Sequence, residues 1–308
     1  MSVTVVGSLN EDVLLAVDRL PGRGETVTAR ATTLAPGGKG ANQAAAAGRL
    51  GPGVHMVGRI GDDDAGTRQL AALAEARVNV SRVHRTPGVP TGSATIPVED
   101  GSGENLIVVV PGANARLTGE DADVDPVRRA DVVLLQLEVP LSAVTAAAAV
   151  ATGTVVLTPA PSRPLPAELL GRVDVLVPNE HELGVLAGAA PGQRSPAELA
   201  ALARAVTGAA VVVTLGSRGA LVVPPEGVAL LQPPPRVTAV DTTGAGDCFS
   251  GALAQGLAAG AALPEAVRFA VAAAALSTTG RGARAALPDE PAVRALLGRV
   301  PPAAEVTA

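Results

Sequence analysis

The sequence predicts an α/β fold: a mostly parallel central sheet flanked by helices. Two observations carry that expectation. Short β-branched runs alternate with longer Ala/Leu-rich runs along most of the 308 residues, the pattern of repeated strand, helix, strand units. Glycine-bearing or Asn-bearing turns also sit directly after strand runs, where parallel sheets place their ligand crevices.

Taken in order, the elements follow from local composition. Residues 2–7 are Val-rich and end in glycine, a first buried strand. Residues 39–50 and 65–76 are Ala-rich and expected as helices. Strands are expected at 131–137, 154–158, 174–178 and 211–215, and helices at 196–206, 244–259 and 264–277. The stretch 143–160 approaches the length of a membrane span. Thr152, Gly153, Thr154 and Pro159 interrupt it and its second half is β-branched, so it reads as a helix followed by a buried strand.

Two stretches, 12–35 and about 91–110, break the alternation. Thr, Val and Ile at alternating positions suggest antiparallel strands with no helix between them, hence a small sheet projecting from the main body. Such a sheet can close a cleft against water as a lid, or pair two copies of the chain; the two roles are compatible. No repeat and no long linker divides the sequence, so 1–308 is expected as one domain, with the tail after Pro301 frayed.

Composition narrows function. Hydrophobic residues make up 47%, but much of this is alanine, whose burial contributes little, so Ala-rich soluble helices are expected. The first residues run into a Val-rich strand without a basic stretch, which argues against a signal peptide and for the cytoplasm. One cysteine, Cys248, excludes an intramolecular disulfide and argues against a multi-cysteine zinc site. A net charge of −5, two Phe and no Trp or Tyr argue against a nucleic-acid surface. An anionic ligand must then be held by local backbone N–H groups and a few cations.

Four segments offer such features. Asp241-Thr242-Thr243-Gly244-Ala245-Gly246-Asp247 leads into an Ala-rich helix, and its glycines and the helix N-terminus make an anion hole. Asp247 reads either as the helix cap or as a base that takes the proton of an attacking hydroxyl. Gly37-Gly38-Lys39-Gly40-Ala41-Asn42-Gln43 opens another helix and places Lys39 and Asn42 on one face, though simple capping also explains its glycines. Pro178-Asn179-Glu180-His181-Glu182 follows a strand; Asn179 and Glu182 can order a hydrated magnesium ion or cap a helix. Thr214-Leu215-Gly216-Ser217-Arg218-Gly219 reads as a phosphate approach or as a tight turn. There is no P-loop, no dinucleotide G-x-G-x-x-G after the first strand and no nucleophile elbow. Cys248, beside Phe249 and Leu253, reads as a core thiol, and His55, His84 and His181 as structural or surface groups.

In combination these segments resemble the ribokinase family of carbohydrate kinases. The likeness runs through nearly the whole chain, from Gly7-Ser8-Leu9-Asn10-Glu11-Asp12 and Gly24-Glu25-Thr26-Val27 through Pro111-Gly112-Ala113-Asn114 and Gln136-Leu137-Glu138 to Asp247, in the family's order. The resemblance implies a three-layer fold with a small β-sheet lid and ATP-dependent phosphorylation of a sugar's primary hydroxyl, with ribose favoured. Fructose, adenosine or another acceptor, and a catalytically silent sugar sensor, are the alternatives. It implies Asp247 as base over the anion hole of Gly244, Ala245 and Gly246. Asn10, Asp12, Gly38, Lys39, Asn42 and Glu138, with Asp247, would contact the sugar. Asn179, Thr214, Gly216, Gly219 and Gly246 would contact ATP. Glu182 would order Mg2+ through water, Asp241 and the Thr243 carbonyl would bind K+, and two chains would dimerise through the lid.

Overall fold

The computed structural model describes residues 1–307. Its strands are β1 (Val3–Val6), β2 (Asn10–Val17), β3 (Ala31–Gly37), β4 (Val54–Gly61), β5 (Val78–Thr86), β6 (Gly92–Glu99), β7 (Val108–Val110), β8 (Val132–Leu135), β9 (Thr154–Leu157), β10 (Val175–Leu176), β11 (Ala210–Thr214), β12 (Ala220–Val223), β13 (Leu230–Gln232) and β14 (Ala304–Glu305). The helices are α1 (Lys39–Leu50), α2 (Asp64–Glu75), α3 (Gly119–Ala122), α4 (Asp125–Arg128), α5 (Leu141–Val150), α6 (Ala167–Leu170), α7 (Glu180–Leu186), α8 (Pro196–Val206), α9 (Ala245–Ala258), α10 (Leu263–Ser277) and α11 (Glu290–Leu297). None is long and apolar enough to cross a membrane among the described residues.

Ten strands form one sheet in the order β14-β13-β12-β11-β10-β9-β8-β1-β4-β5, parallel from β5 to β11 and antiparallel beyond. Because side chains alternate across a strand, its residues divide between two helical layers. Val3, Val5, Leu134 and Val212 pack toward α1, α2, α9, α10 and α11. Val6, Val133, Leu135 and Val213 pack toward α3 to α8. This is the expected three-layer α/β fold. Each of these fully buried side chains contributes about 1.5–3 kcal/mol of transfer free energy.

The segment 143–160 divides as expected between α5 and β9. Two expectations need correction. The tail is not frayed where it meets the sheet: β14 pairs with β13, Leu230 against Glu305, and the Val306 N–H donates to the Ala229 carbonyl. The second sheet, β3-β2-β6-β7, is not all antiparallel, since β2 and β6 run parallel with Asn10 opposite Gly92. Alternation in sequence reports which side chains share a face, and that period is the same for both strand directions.

Asn114 joins the two sheets where β1 gives way to β2. Its amide accepts from the Leu9 N–H at 2.9 Å and donates to the Leu9 carbonyl at 3.1 Å and to Asn10 Oδ1 at 2.7 Å, all out of solvent. Asn114→Ala would leave these groups buried and unpaired. We expect a loss of about 3 kcal/mol in urea denaturation; an unchanged midpoint would remove Asn114 from this junction.

Candidate active site

The close approach of α1 and α9 sets the site, and small residues permit it. A Cβ on Gly251 would come within 2.5 Å of the Gln43 carbonyl oxygen, so only glycine lets the two helices meet here. The alanines that inflate the apolar composition serve the same contact: Ala45, Ala46, Ala47 and Ala252 are buried in the layer that holds both helices.

At the start of α9 the backbone turns through Gly244, which has φ +75 and abuts Ala283 so closely that a Cβ would lie 2.7 Å from that residue's own. A side chain at Gly244 is excluded both by conformation and by space. No side chain caps the helix; the Ala245 N–H donates to the Thr242 carbonyl at 3.2 Å, which leaves the Gly246 and Asp247 N–H groups to water or an anion. Asp247 therefore is not the cap. Its carboxylate turns instead toward α1, where Oδ2 accepts from Asn42 Nδ2 and Oδ1 from Gln43 Nε2, both at 3.0 Å. Gln43 is itself held, its Oε1 accepting from Gln136 Nε2 at 2.8 Å.

Around this carboxylate the chain gathers charge. Glu138 Oε2 accepts from Ser8 Oγ at 2.6 Å and from the Lys39 N–H at 3.1 Å, tying β8's exit loop to the start of α1. The negative charge of Asp247 holds the Lys39 ammonium above its ordinary proton affinity despite burial, with Glu138, Glu182 and Asp12 adding to the effect. Burial pushes the Asp12 carboxyl up to about 6; Glu138 and Asp247 push the same way, while Arg284 and Lys39 oppose them. Asn10 is 3% exposed, and its carbonyl accepts from the Gln69 amide. Gly38 is the residue before α1. Asp12, Lys39 and Asn42 thus act on Asp247 by charge or hydrogen bond, Glu138 reaches Asp12 and Lys39, and Gly38 abuts the Asn10 backbone, where a Cβ would lie 2.7 Å from the Asn10 nitrogen.

Facing them, Asn179 and Glu182 form a reciprocal capping box on α7: the Glu182 N–H donates to Asn179 Oδ1 at 2.8 Å and the Asn179 N–H to Glu182 Oε2 at 2.9 Å. Asn179 also bridges to Thr214. The capping reading is therefore real, yet it leaves Glu182 Oε1 free. Burial raises the Glu182 carboxyl, and the charges of Lys39 and Asp247 reach it. Gly216 and Gly219 bracket a tight turn closed by the Gly219 N–H donating to the Gly216 carbonyl at 3.0 Å. Asp241 accepts from the Thr243 N–H at 2.9 Å and the Gly282 N–H at 2.8 Å; burial raises its carboxyl, but these bonds prevail and leave it low.

The pfkB family carbohydrate kinase pattern matches residues 1–290. The chain belongs to the pfkB family of carbohydrate kinases. Among its relatives, a ribokinase of Haemophilus influenzae is 38% identical over 296 residues, covering 93% of this chain and 95% of the relative. A deoxyribokinase of Salmonella typhi is 35% identical over 298 residues, covering 94% and 96%. The structure of Arabidopsis thaliana ribokinase complexed with ribose and ATP superimposes with a TM-score of 0.87 at 36% identity, covering 96% of this chain and 98% of that one.

Three residues of this pfkB-family site were given no role by the sequence. Gln43 and Gln136 stand within recognised motifs, but only the folded chain makes them a relay to Asp247. Arg284 stands in no motif. Its Nε donates to Asn42 Oδ1 at 2.7 Å and its Nη2 to the Gly37 carbonyl at 2.6 Å, joining sequence positions more than two hundred residues apart. Cys248 is a core thiol as expected, with burial pushing it up to about 12.

Proposed function

We propose that this pfkB-family kinase transfers the γ-phosphate of ATP to the primary hydroxyl of D-ribose, giving ribose 5-phosphate, with Asp247 as general base. One observation carries the reading: a carboxylate gripped on both oxygens, by Asn42 and Gln43, beside a helix N-terminus that no side chain caps. Such a carboxylate can take the proton of a hydroxyl as it attacks. The turn of Gly244, Ala245 and Gly246, with the positive end of α9, meets the charge that develops on the transferred group. Transfer then depends on placing the hydroxyl between base and anion hole.

Asn10, Asp12, Gly38, Lys39, Asn42 and Glu138 hold the acceptor. A set this rich in donors and acceptors favours a polyol and disfavours ligands that leave them unpaired. Asn179, Thr214, Gly216 and Gly219, with Gly246, line the nucleotide side. The relatives named as ribokinases support ribose, and the deoxyribokinase makes 2-deoxyribose the competing acceptor.

Two metal ions fit the residues present. Glu182, with one free carboxylate oxygen, would order the water shell of Mg2+, which neutralises charge on the β- and γ-phosphates. Asp241 keeps lone pairs beyond its two backbone bonds, and with the Thr243 carbonyl it suits K+. A cytoplasmic location supplies the ATP.

The second sheet acts as the lid and as the contact between two copies of the chain. Its outer strands expose Leu34 on β3 and Val108, Val109 and Val110 on β7, apolar groups that a single copy leaves in water. Sedimentation velocity should show a dimer that Val109→Glu converts to monomer; a wild-type monomer would remove this part of the reading.

The test of function is ATP turnover with Mg2+ and K+ on ribose, 2-deoxyribose, fructose, adenosine and fructose 6-phosphate in parallel. Selective turnover of ribose is expected. Preference for another acceptor would overturn the substrate but keep the chemistry, and binding without turnover would favour a sensor.

A further inference from the structure

Arg284 is a buried cation beside the acceptor residues that the proposed chemistry does not use. Its Nε–H donates to Asn42 Oδ1 at 2.7 Å, and its Nη2 donates to the Gly37 carbonyl at 2.6 Å and to Gln69 Oε1 at 3.1 Å. Its Nη1 is shielded from solvent and has no partner. Burial pulls the guanidinium down to about 10, against the opposing pull of Asp12 and Asp247. A desolvated cation with an unmade hydrogen bond costs stability, so a neutral, fully paired side chain would serve better if packing were the whole purpose.

The partners show what the cation does. A carboxamide has two ends of nearly equal shape, and only their hydrogen bonds decide which way it faces. With Oδ1 engaged by Arg284, the Asn42 amide must turn Nδ2 toward Asp247, where it donates at 3.0 Å. The neighbours of Arg284 hold the other side of the site: the Gly282 N–H binds Asp241, and Ala283 packs against Gly244 at the anion hole.

We propose that Arg284 is a positioning residue that sets the orientation of the Asn42 amide, and through it the direction of the Asp247 carboxylate, while clamping the end of β3 at Gly37 to the start of α1. The proposal rests on the reading of Asp247 as the base. The segment after α10 thereby joins the anion hole to the acceptor side through one guanidinium fork, a geometry that an ammonium cannot reproduce.

The test combines kinetics with a structure. Arg284→Ala and Arg284→Lys should each lower kcat by about 10²-fold, the cost of misplacing a reacting group by roughly an ångström, with KM for ATP unchanged. In an Asn42→Ala background, the further loss on changing Arg284 should be small, because two residues acting as a unit are not additive. Multiplicative losses would overturn the proposal, and so would a Lys variant with wild-type kcat, since charge alone would then suffice. A crystal structure of Arg284→Lys gives an answer even if the chain phosphorylates none of the sugars tried. The Asn42 side chain should leave Asp247, and an undisturbed 3.0 Å contact would refute the mechanism while leaving the kinase reading intact.

Discussion

Asp247→Asn lowers kcat by roughly 10²–10⁴-fold, the range lost when a positioned acid–base group is removed, while KM for ATP changes little. The reason lies in the partners as much as in the lost base. The carboxylate now accepts from two amide NH2 groups, Asn42 on one oxygen and Gln43 on the other. An asparagine must present its own NH2 to one of them, donor against donor, so the replacement loses the proton acceptor and one of its two positioning bonds. A coupled assay for ADP release with saturating acceptor reads the effect. A kcat close to wild type would show that the hydroxyl needs no base here and would remove Asp247 from the mechanism.

Asp12→Asn is expected to separate stability from function. Burial, reinforced by Glu138 and Asp247, raises the folded-state carboxyl from 3.8 to about 6. Between those two values the native protein binds a proton that the unfolded chain does not, so stability falls as pH rises through this window. Above it the ionised carboxylate opposes folding by up to roughly 3 kcal/mol. Asparagine, which cannot ionise, should therefore raise the urea midpoint at pH 8 and give no such gain at or below pH 4. The same change should raise KM for the acceptor about 10- to 100-fold, the worth of a hydrogen bond to a charged group. Wild-type kcat/KM should also fall as pH drops below about 6 and Asp12 takes up its proton. Equal midpoints at pH 8 would show that Asp12 is not held against its charge, and an unchanged KM would place it outside the acceptor site.

The second prediction describes a site assembled at a cost in stability, as functional sites commonly are. Asp12, Glu138 and Asp247 bring three carboxylates within reach of one another, and Lys39 and Arg284 offset them only in part.

Much of this was legible in the chain itself. The strand and helix runs were readable because their periodicity is local: 196–206 emerged as α8 and 39–50 as α1 with the same bounds. Their hydrophobic faces are selected by the neighbouring layer and hardly depend on distant partners. The motifs carrying Asp247, Lys39, Asn179 and Glu182 were readable because a turn that frees backbone N–H groups needs glycine or a capping side chain at fixed spacing. Less was legible where pairing is long-range. The direction of β6 against β2, and the attachment of β14 to β13, depend on which edge is free once the rest of the sheet has formed.

The sequence by itself therefore determined the order of elements, the three-layer α/β class and the segments that carry chemistry, all properties written within a few turns of chain. Only the tertiary structure decided that Asp247 faces α1 instead of capping α9, because that choice depends on Asn42 and Gln43 arriving across the Gly251 contact. It alone brought Arg284 to Asn42. A guanidinium in a short Ala-rich segment carries no local signal, and its meaning comes from hydrogen bonds that close more than two hundred residues of chain.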